Sequence, residues 1–386
     1  MPNKLQSVAI AVRVVDNFGD AGVAWRLARQ LTHEHTCEVA LWIDDAAPLA
    51  RFVRGADAAD AVVDGVRVRR LAPPDALEAP SLEPWPQLLV EAFGCKLPAS
   101  WLDAMEASVA PPVWINLEYL SAEAWVDGAH GLPSPHPARN LKRWFFYPGF
   151  TPRTGGLLRE RALPAQRDAF VADPAHRAAA WAATGLAAPT ADALAVSLFC
   201  YPNAAVTALL RAWADGARPV HALVPEGVAA DAVATFLGAT PATGAVHTTG
   251  ALTLAVVPFV DQDAFDRRLW ACDFAVVRGE DSFVRAQWAA VPFAWHIYPQ
   301  SEGAHRAKLE AFLARYARGL ARPAADALDA FTRAFNDADA VGVARSWPEL
   351  ADALPALRVH ARQWAGELTE YPDLATQLVG FARSRL

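Results

Sequence analysis

The segment Val8–Asp20, VAIAVRVVDNFGD, constrains the fold of this chain more than any other. Its apolar run Val8–Val15 reads as a strand, Asp16–Gly22 as a tight turn, and the apolar positions Trp25, Leu27, Ala28 and Leu31 as one face of a helix from Val23 to about His33. A strand that enters a helix through a tight turn is the opening unit of a Rossmann-type fold, where the turn ordinarily cradles phosphate. Here the turn carries two carboxylates, Asp16 and Asp20, four residues apart. A phosphate oxygen ~5 Å from a carboxylate, at an effective dielectric of ~20, is repelled by about 3 kcal/mol. The turn should therefore reject phosphate and attract a cation or take up a proton. A helix cap beside a solvated loop residue would use the same two acids, but crowding both into one glycine-containing turn favours chemistry.

Strands and helices alternate along the rest of the 386 residues, which predicts parallel sheets covered on both faces. In the first half, Glu38–Ile43, Gly65–Arg70, Pro112–Leu117 and Trp144–Tyr147 read as strands, and Trp85–Ala92 and Ala99–Ser108 as helical or mixed. In the second half, strands at 194–201, 220–224, 252–258, 274–277 and 293–298 are each followed by a helical pattern. The turn-rich stretch 151–156 and the interrupted helix after it suggest a connector. The expected division is 1–150 as an acceptor-side lobe, 151–188 as connector and 189–369 as a nucleotide-binding lobe. A terminal helix of about 370–386 could pack back on the first lobe. Two α/β lobes of this kind leave a cleft between the carboxyl ends of their strands, where ligands bind.

With 53% hydrophobic and 20% charged residues, the chain has apolar material for two cores. A net charge of −7 without a basic block argues against nucleic acid as a partner. No apolar run is long enough to span a bilayer, and the amino-terminal run, broken by Arg13 and Asp16, does not read as a signal peptide. The four cysteines, Cys37, Cys95, Cys200 and Cys272, are scattered and read as free buried thiols, which suits a reducing cytoplasm. Walker, Gly-x-Ser-x-Gly and zinc-ligand patterns are absent, and no metal site is expected.

The second informative segment is CDFAVVRGEDSFVRAQW, residues 272–288. A strand ends at Arg278-Gly279, and Glu280-Asp281-Ser282 lead into a helix, with Asp281 or Ser282 as the expected N-cap. The amide groups and dipole of such a helix start favour a diphosphate, and Arg278 adds a cationic fork for its oxygens. Glu280 or Asp281 could accept from ribose hydroxyls or orient Arg278; a capped helix with a local ion pair would use the same residues. Phe199 and Tyr201 sit at the end of one strand, and Phe259, Gln262 and Phe265 at the end of another. Together they could supply the aromatic walls and the amide that hold a flat base. The second lobe thus reads as the nucleotide side, with the two aspartates facing it.

At these residues the chain resembles a known family. VVDNFGDAGVAWRLARQL, INLEYLSAE at 115–123, FFYPGFT at 145–151, the Phe-x-Tyr of 199–201, RGEDSFVRAQWA and HIYPQ at 296–300 together look like the EarP family, the protein-arginine rhamnosyltransferases of bacterial elongation factor P. The resemblance runs through both lobes in order. It implies a GT-B glycosyltransferase that inverts the anomeric centre without a metal or other cofactor. The implied donor is dTDP-β-L-rhamnose, and the implied acceptor is one arginine of elongation factor P. By motif match, Asp16 and Asp20 take the place of the family's essential acidic pair. Phe199, Tyr201, Phe259, Gln262, Phe265, Arg278, Glu280, Asp281 and Ser282 take that of its nucleotide-sugar pocket. An arginine acceptor stays protonated, so two carboxylates would hold it and accept a proton as the C–N bond forms. Asp20 is the expected base and Asp16 the expected holder, although the same residues admit the roles exchanged. The alternatives are a GT-B enzyme with a different nucleotide sugar and acceptor, and a two-lobed binding protein without catalysis.

Overall fold

A computed structural model describes residues 4–58, 60–76, 82, 84–300 and 303–386; the side chain of Asn17, in the first motif, lies outside what is described. The chain divides into two compact units, Met1–Arg161 with Thr369–Leu386, and Ala162–Leu368. The stretch 151–188, read as a connector, is shared between the two units.

The first unit runs β1 (Ser7–Val12), α1 (Asn17–His35), β2 (Glu38–Ile43), α2 (Ala47–Ala50), β3 (Val62–Val63), β4 (Val66–Arg70), β5 (Leu88–Ala92), α3 (Ala99–Ala107), β6 (Val113–Leu117), α4 (Val126–Ala129), β7 (Pro133–Pro135) and β8 (Lys142–Phe146). Its strands form one sheet in the order β3-β4-β2-β1-β5-β6-β8-β7, parallel except for β3 and β7 at the edges. Successive residues of β1 serve opposite faces, as strand geometry requires. Val8, Ile10 and Val12 join the core beneath α1, while Ala9 and Ala11 join a second core with Trp42, Trp101 and Trp114. The order runs outward in one direction through β2 and β4 and in the other through β5, β6 and β8. The strand sequence reverses between β1 and β5, the place where open α/β sheets hold ligands.

Two expectations for this unit are corrected. Leu88–Ala92, within the stretch read as helical or mixed, is a central strand paired with β1 and β6. Its short apolar run carries one acid, Glu91, which is buried where Trp114 Nε1 and Arg143 Nη1 donate to it. Buried strands lose the alternating pattern, so periodicity could not separate this run from a helix. Asp16–Gly22 is also not a free turn: α1 starts at Asn17, so Asp16 occupies the N-cap position and Asp20 lies in the first helical turn. Acids there meet the positive end of the helix dipole.

The second unit runs α5 (Leu163–Ala172), α6 (Pro174–Ala182), β9 (Leu194–Leu198), α7 (Ala205–Ala214), β10 (Val220–Pro225), α8 (Ala230–Leu237), β11 (Val246–Thr249), β12 (Leu252–Val257), α9 (Gln262–Trp270), β13 (Phe274–Arg278), α10 (Asp281–Ala289), β14 (Phe293–His296), α11 (Ala304–Tyr316), α12 (Arg322–Asn336) and α13 (Ala340–Thr369). Its sheet order is β11-β12-β10-β9-β13-β14, parallel except for β11. The reversal falls between β9 and β13. The final helix, α14 (Leu374–Arg383), belongs to the first unit, where Leu374, Leu378 and Val379 enter the core under α1. All four cysteines are free and buried.

Candidate active site

In the first unit, the site is built at the carboxyl ends of β1, β5 and β6. Asp20 is 1% exposed and Asp16 8%. The Asp20 carboxylate folds back over the start of its own helix, where Oδ2 accepts from the amides of Val15 and Asp16, both at 2.8 Å. Oδ1 accepts from the Tyr119 hydroxyl at 3.1 Å. Asp16 sits over the same turn: a Cβ on Gly19 would collide with Asp16 Oδ2, which is why glycine stands there. Burial pushes Asp20 above the usual carboxylate range, and Asp44 adds to this. The Asp16 and Val15 amides and the Tyr119 hydroxyl pull the other way. An acid raised in this way is more basic than an ordinary aspartate, which suits a proton acceptor.

Tyr119 directly follows Leu117 and Glu118 at the end of β6, and its ring lies parallel to Phe93 at 4.4 Å and 14°. Phe93, just after β5, has a φ of 58°, a left-handed conformation that bulky residues rarely adopt. Strain of this kind collects where geometry matters for function. The sequence assigns neither residue a role, although both share with Asp16 the one visible signal, a position just past a parallel strand.

In the second unit, the nine residues expected at the nucleotide site come from the carboxyl ends of β9, β12 and β13 and from the segments and first helical turns of α9 and α10 that follow them. The Arg278 guanidinium lies 4.5 Å from the ring centre of Phe199 and 4.9 Å from that of Tyr201, and its Nη1 donates to Cys200 O at 3.1 Å. Phe265 and Phe259 meet Phe199 at 5.7 and 6.3 Å. Gln262 Nε2 donates to Asp281 Oδ2 at 3.3 Å, which ties the start of α9 to the start of α10. Gly279 has a φ of 58°, open to glycine without strain, and its carbonyl accepts from Trp295 Nε1.

The expected cap is corrected: Glu280, not Asp281 or Ser282, holds the N-cap position of α10, with no side-chain cap bond. The Ser282 hydroxyl instead bonds back to Arg278, accepting from its amide at 2.9 Å and donating to its carbonyl at 2.6 Å. The bend between β13 and α10 is thereby closed on itself. His296, at the end of β14, meets the Tyr201 ring edge-on at 5.4 Å. Burial, then the charges of Arg278 and His305, lower it to about 4, so it is neutral at physiological pH. Among the described residues, no cluster of histidine, cysteine, aspartate or glutamate is placed to hold a metal ion.

Comparison with known proteins gives this arrangement a family. A model described as elongation-factor P (EF-P) rhamnosyltransferase EarP matches residues 8–383. The chain belongs to the EarP family. It is thus a glycosyltransferase, and its two Rossmann-like units are the parts expected of a GT-B enzyme. A protein-arginine rhamnosyltransferase of Pseudomonas putida is 48% identical, over 97% of both chains. One from Neisseria meningitidis serogroup B is 34% identical, over 96% of both. A solved structure described as the structural basis for EarP-mediated arginine glycosylation of translation elongation factor EF-P matches with a TM-score of 0.69 and 37% identity. That match covers 98% of this chain and 99% of the other. Among the described residues, no helix is long and apolar enough to cross a membrane.

Proposed function

We propose that this EarP-family enzyme transfers L-rhamnose from dTDP-β-L-rhamnose to one arginine side chain of elongation factor P, with inversion at the anomeric carbon and without a metal. The observation that carries this reading is the opposite electrical character of two switch points in one chain, acidic at β1/β5 and cationic at β9/β13. Asp16 and Asp20 suit a guanidinium. Arg278, with the amides at the start of α10, suits a diphosphate. The rings of Phe199, Phe259 and Phe265 suit a thymine.

The chemistry follows from these groups. A guanidinium nitrogen attacks the anomeric carbon, and the C–O bond to dTDP breaks with its electron pair leaving on the diphosphate. A protonated arginine has no free nucleophilic lone pair, so it must lose a proton as the C–N bond forms. A carboxylate offers about four acceptor positions. Among the described residues, three on Asp20 are taken by the Val15 amide, the Asp16 amide and the Tyr119 hydroxyl. The remaining position is on Oδ1, and we assign it the proton. Asp16 holds the guanidinium, while Arg278 and the α10 amides stabilise the charge that builds on the leaving diphosphate. Glu280 and Asp281 serve the sugar or ribose hydroxyls, and Ser282 closes the phosphate bend.

The test is intact-mass analysis of elongation factor P after incubation with this protein and dTDP-L-rhamnose. An increase of one deoxyhexose, mapped to an arginine, is expected. Hydrolysis of the donor with the factor unmodified would sink the proposal.

A further inference from the structure

We propose that Tyr119 is a positioning residue for proton transfer, keeping Asp20 ionised and aimed through one hydroxyl bond and a ring stack on Phe93. The inference rests on the assignment of Asp20 as base and deepens it. Two of the three donors on Asp20 are backbone amides at the start of α1. They are held by the backbone of the turn that enters α1, and they can only donate. Tyr119 supplies the third, and a phenol hydroxyl rotates and can accept as well as donate. It can therefore bond Asp20 both as carboxylate and, after proton uptake, as acid. Among the described residues, no other group bonded to Asp20 can both donate to it and accept from it.

The ring is held to this task. It lies flat on Phe93 at 4.4 Å, and the Phe93 amide donates to Leu117 O at 2.7 Å, locking the ends of β5 and β6 together. Phe93 and Gly94 both have positive φ, at 58° and 62°. A glycine explains itself there, but a phenylalanine does not. Its ring placement is the return for the strain.

Other charges face the same carboxylate. Asp44, at the end of β2, acts on it from one side and is itself approached by Arg13 at 3.7 Å. Asp16 shares the turn, and Glu118, beside Tyr119, accepts from Asn116 Nδ2 at 2.6 Å. Replacing Tyr119 by phenylalanine keeps these residues and the ring that stacks on Phe93, so a shift in titration reports the lost hydroxyl.

Tyr119→Phe should therefore move the acidic limb of the kcat/KM–pH profile upward by about one pH unit, because a hydrogen bond that favours the carboxylate is gone. Donor affinity should not change. Phe93→Ala should move the limb in the same direction by less, with folding checked by circular dichroism. A limb that stays in place in Tyr119→Phe, whether kcat falls or not, overturns the inference. Asp20→Asn, measured alongside, separates the two levels. If Asp20→Asn is inactive while the Tyr119→Phe limb is unmoved, only the positioning role fails; if Asp20→Asn turns over normally, the base assignment fails as well.

Discussion

Replacing Arg278 with alanine removes a guanidinium clamped between Phe199 and Tyr201 and pinned by Cys200 O. The backbone around it should survive, because Ser282 bonds to the amide and carbonyl of residue 278 rather than to its side chain. The loss therefore falls on the ligand. A charge-assisted hydrogen bond to a phosphate oxygen contributes ~1.5–3 kcal/mol, which is roughly a 10- to 150-fold rise in Kd. Loosening of the two rings adds to this, since stacking under a cation contributes ~0.5–2 kcal/mol. Calorimetric titration with dTDP reads the effect without a turnover assay. Arg278→Lys should recover only part of the affinity, because an ammonium keeps the charge but not the planar fork. A Kd for Arg278→Ala within about two-fold of the parent, far below the change expected for such a contact, would refute the phosphate role.

Three further outcomes are expected. Asp20→Asn should bind dTDP like the parent, since the contacts proposed for dTDP lie in the other unit, yet lose turnover by ~100-fold or more. Asp266→Ala leaves Arg285 buried without its bidentate partner, now bonded at 2.9 and 2.6 Å with side-chain exposures of 1% for the arginine and 5% for the aspartate. Urea unfolding should show a loss of ~3–5 kcal/mol, whereas a value near that of a surface pair, below ~1 kcal/mol, would contradict the burial argument. His296, lowered to about 4 in the fold, titrates near 6.5 when unfolded, so acidification protonates the unfolded chain first. Its contribution is complete above about pH 6.5 and is lost as pH falls towards about 4, ~3 kcal/mol in all. His296→Asn should flatten that acid-side fall in urea unfolding; an unchanged slope would count against it.

Much of this was readable from residues because parallel strands are bounded by loops that carry function. Asp16, Asp20, Arg278 and the aromatic groups all lie at strand ends or in the segments that lead from a strand into the next helix, where polar or aromatic residues break an apolar run. The start of α1 was misplaced because acids and glycines in a first helical turn look like turn residues. Only the fold-back of Asp20 onto the Val15 and Asp16 amides shows that the helix has already begun. The β5 strand was obscured because Glu91 looks solvent-facing until Trp114 and Arg143, distant in sequence, are brought to it. Tyr119 could not be assigned because its partners, Asp20 and Phe93, are joined to it only by the sheet.

The return of α14 to the first unit has a consequence for biosynthesis. Its apolar face completes the core under α1, the amide of Leu374 donates to Leu157 O at 2.9 Å, and Gln30 Nε2 reaches Asp373 Oδ1 at 2.9 Å. While the ribosome is still adding α13, the amino-terminal half emerges with that groove bare. The usual vectorial order, first domain first, is thereby inverted: the second unit has its whole sequence in hand before the first. A nascent chain stalled short of Leu374 would present a sticky trough to chaperones.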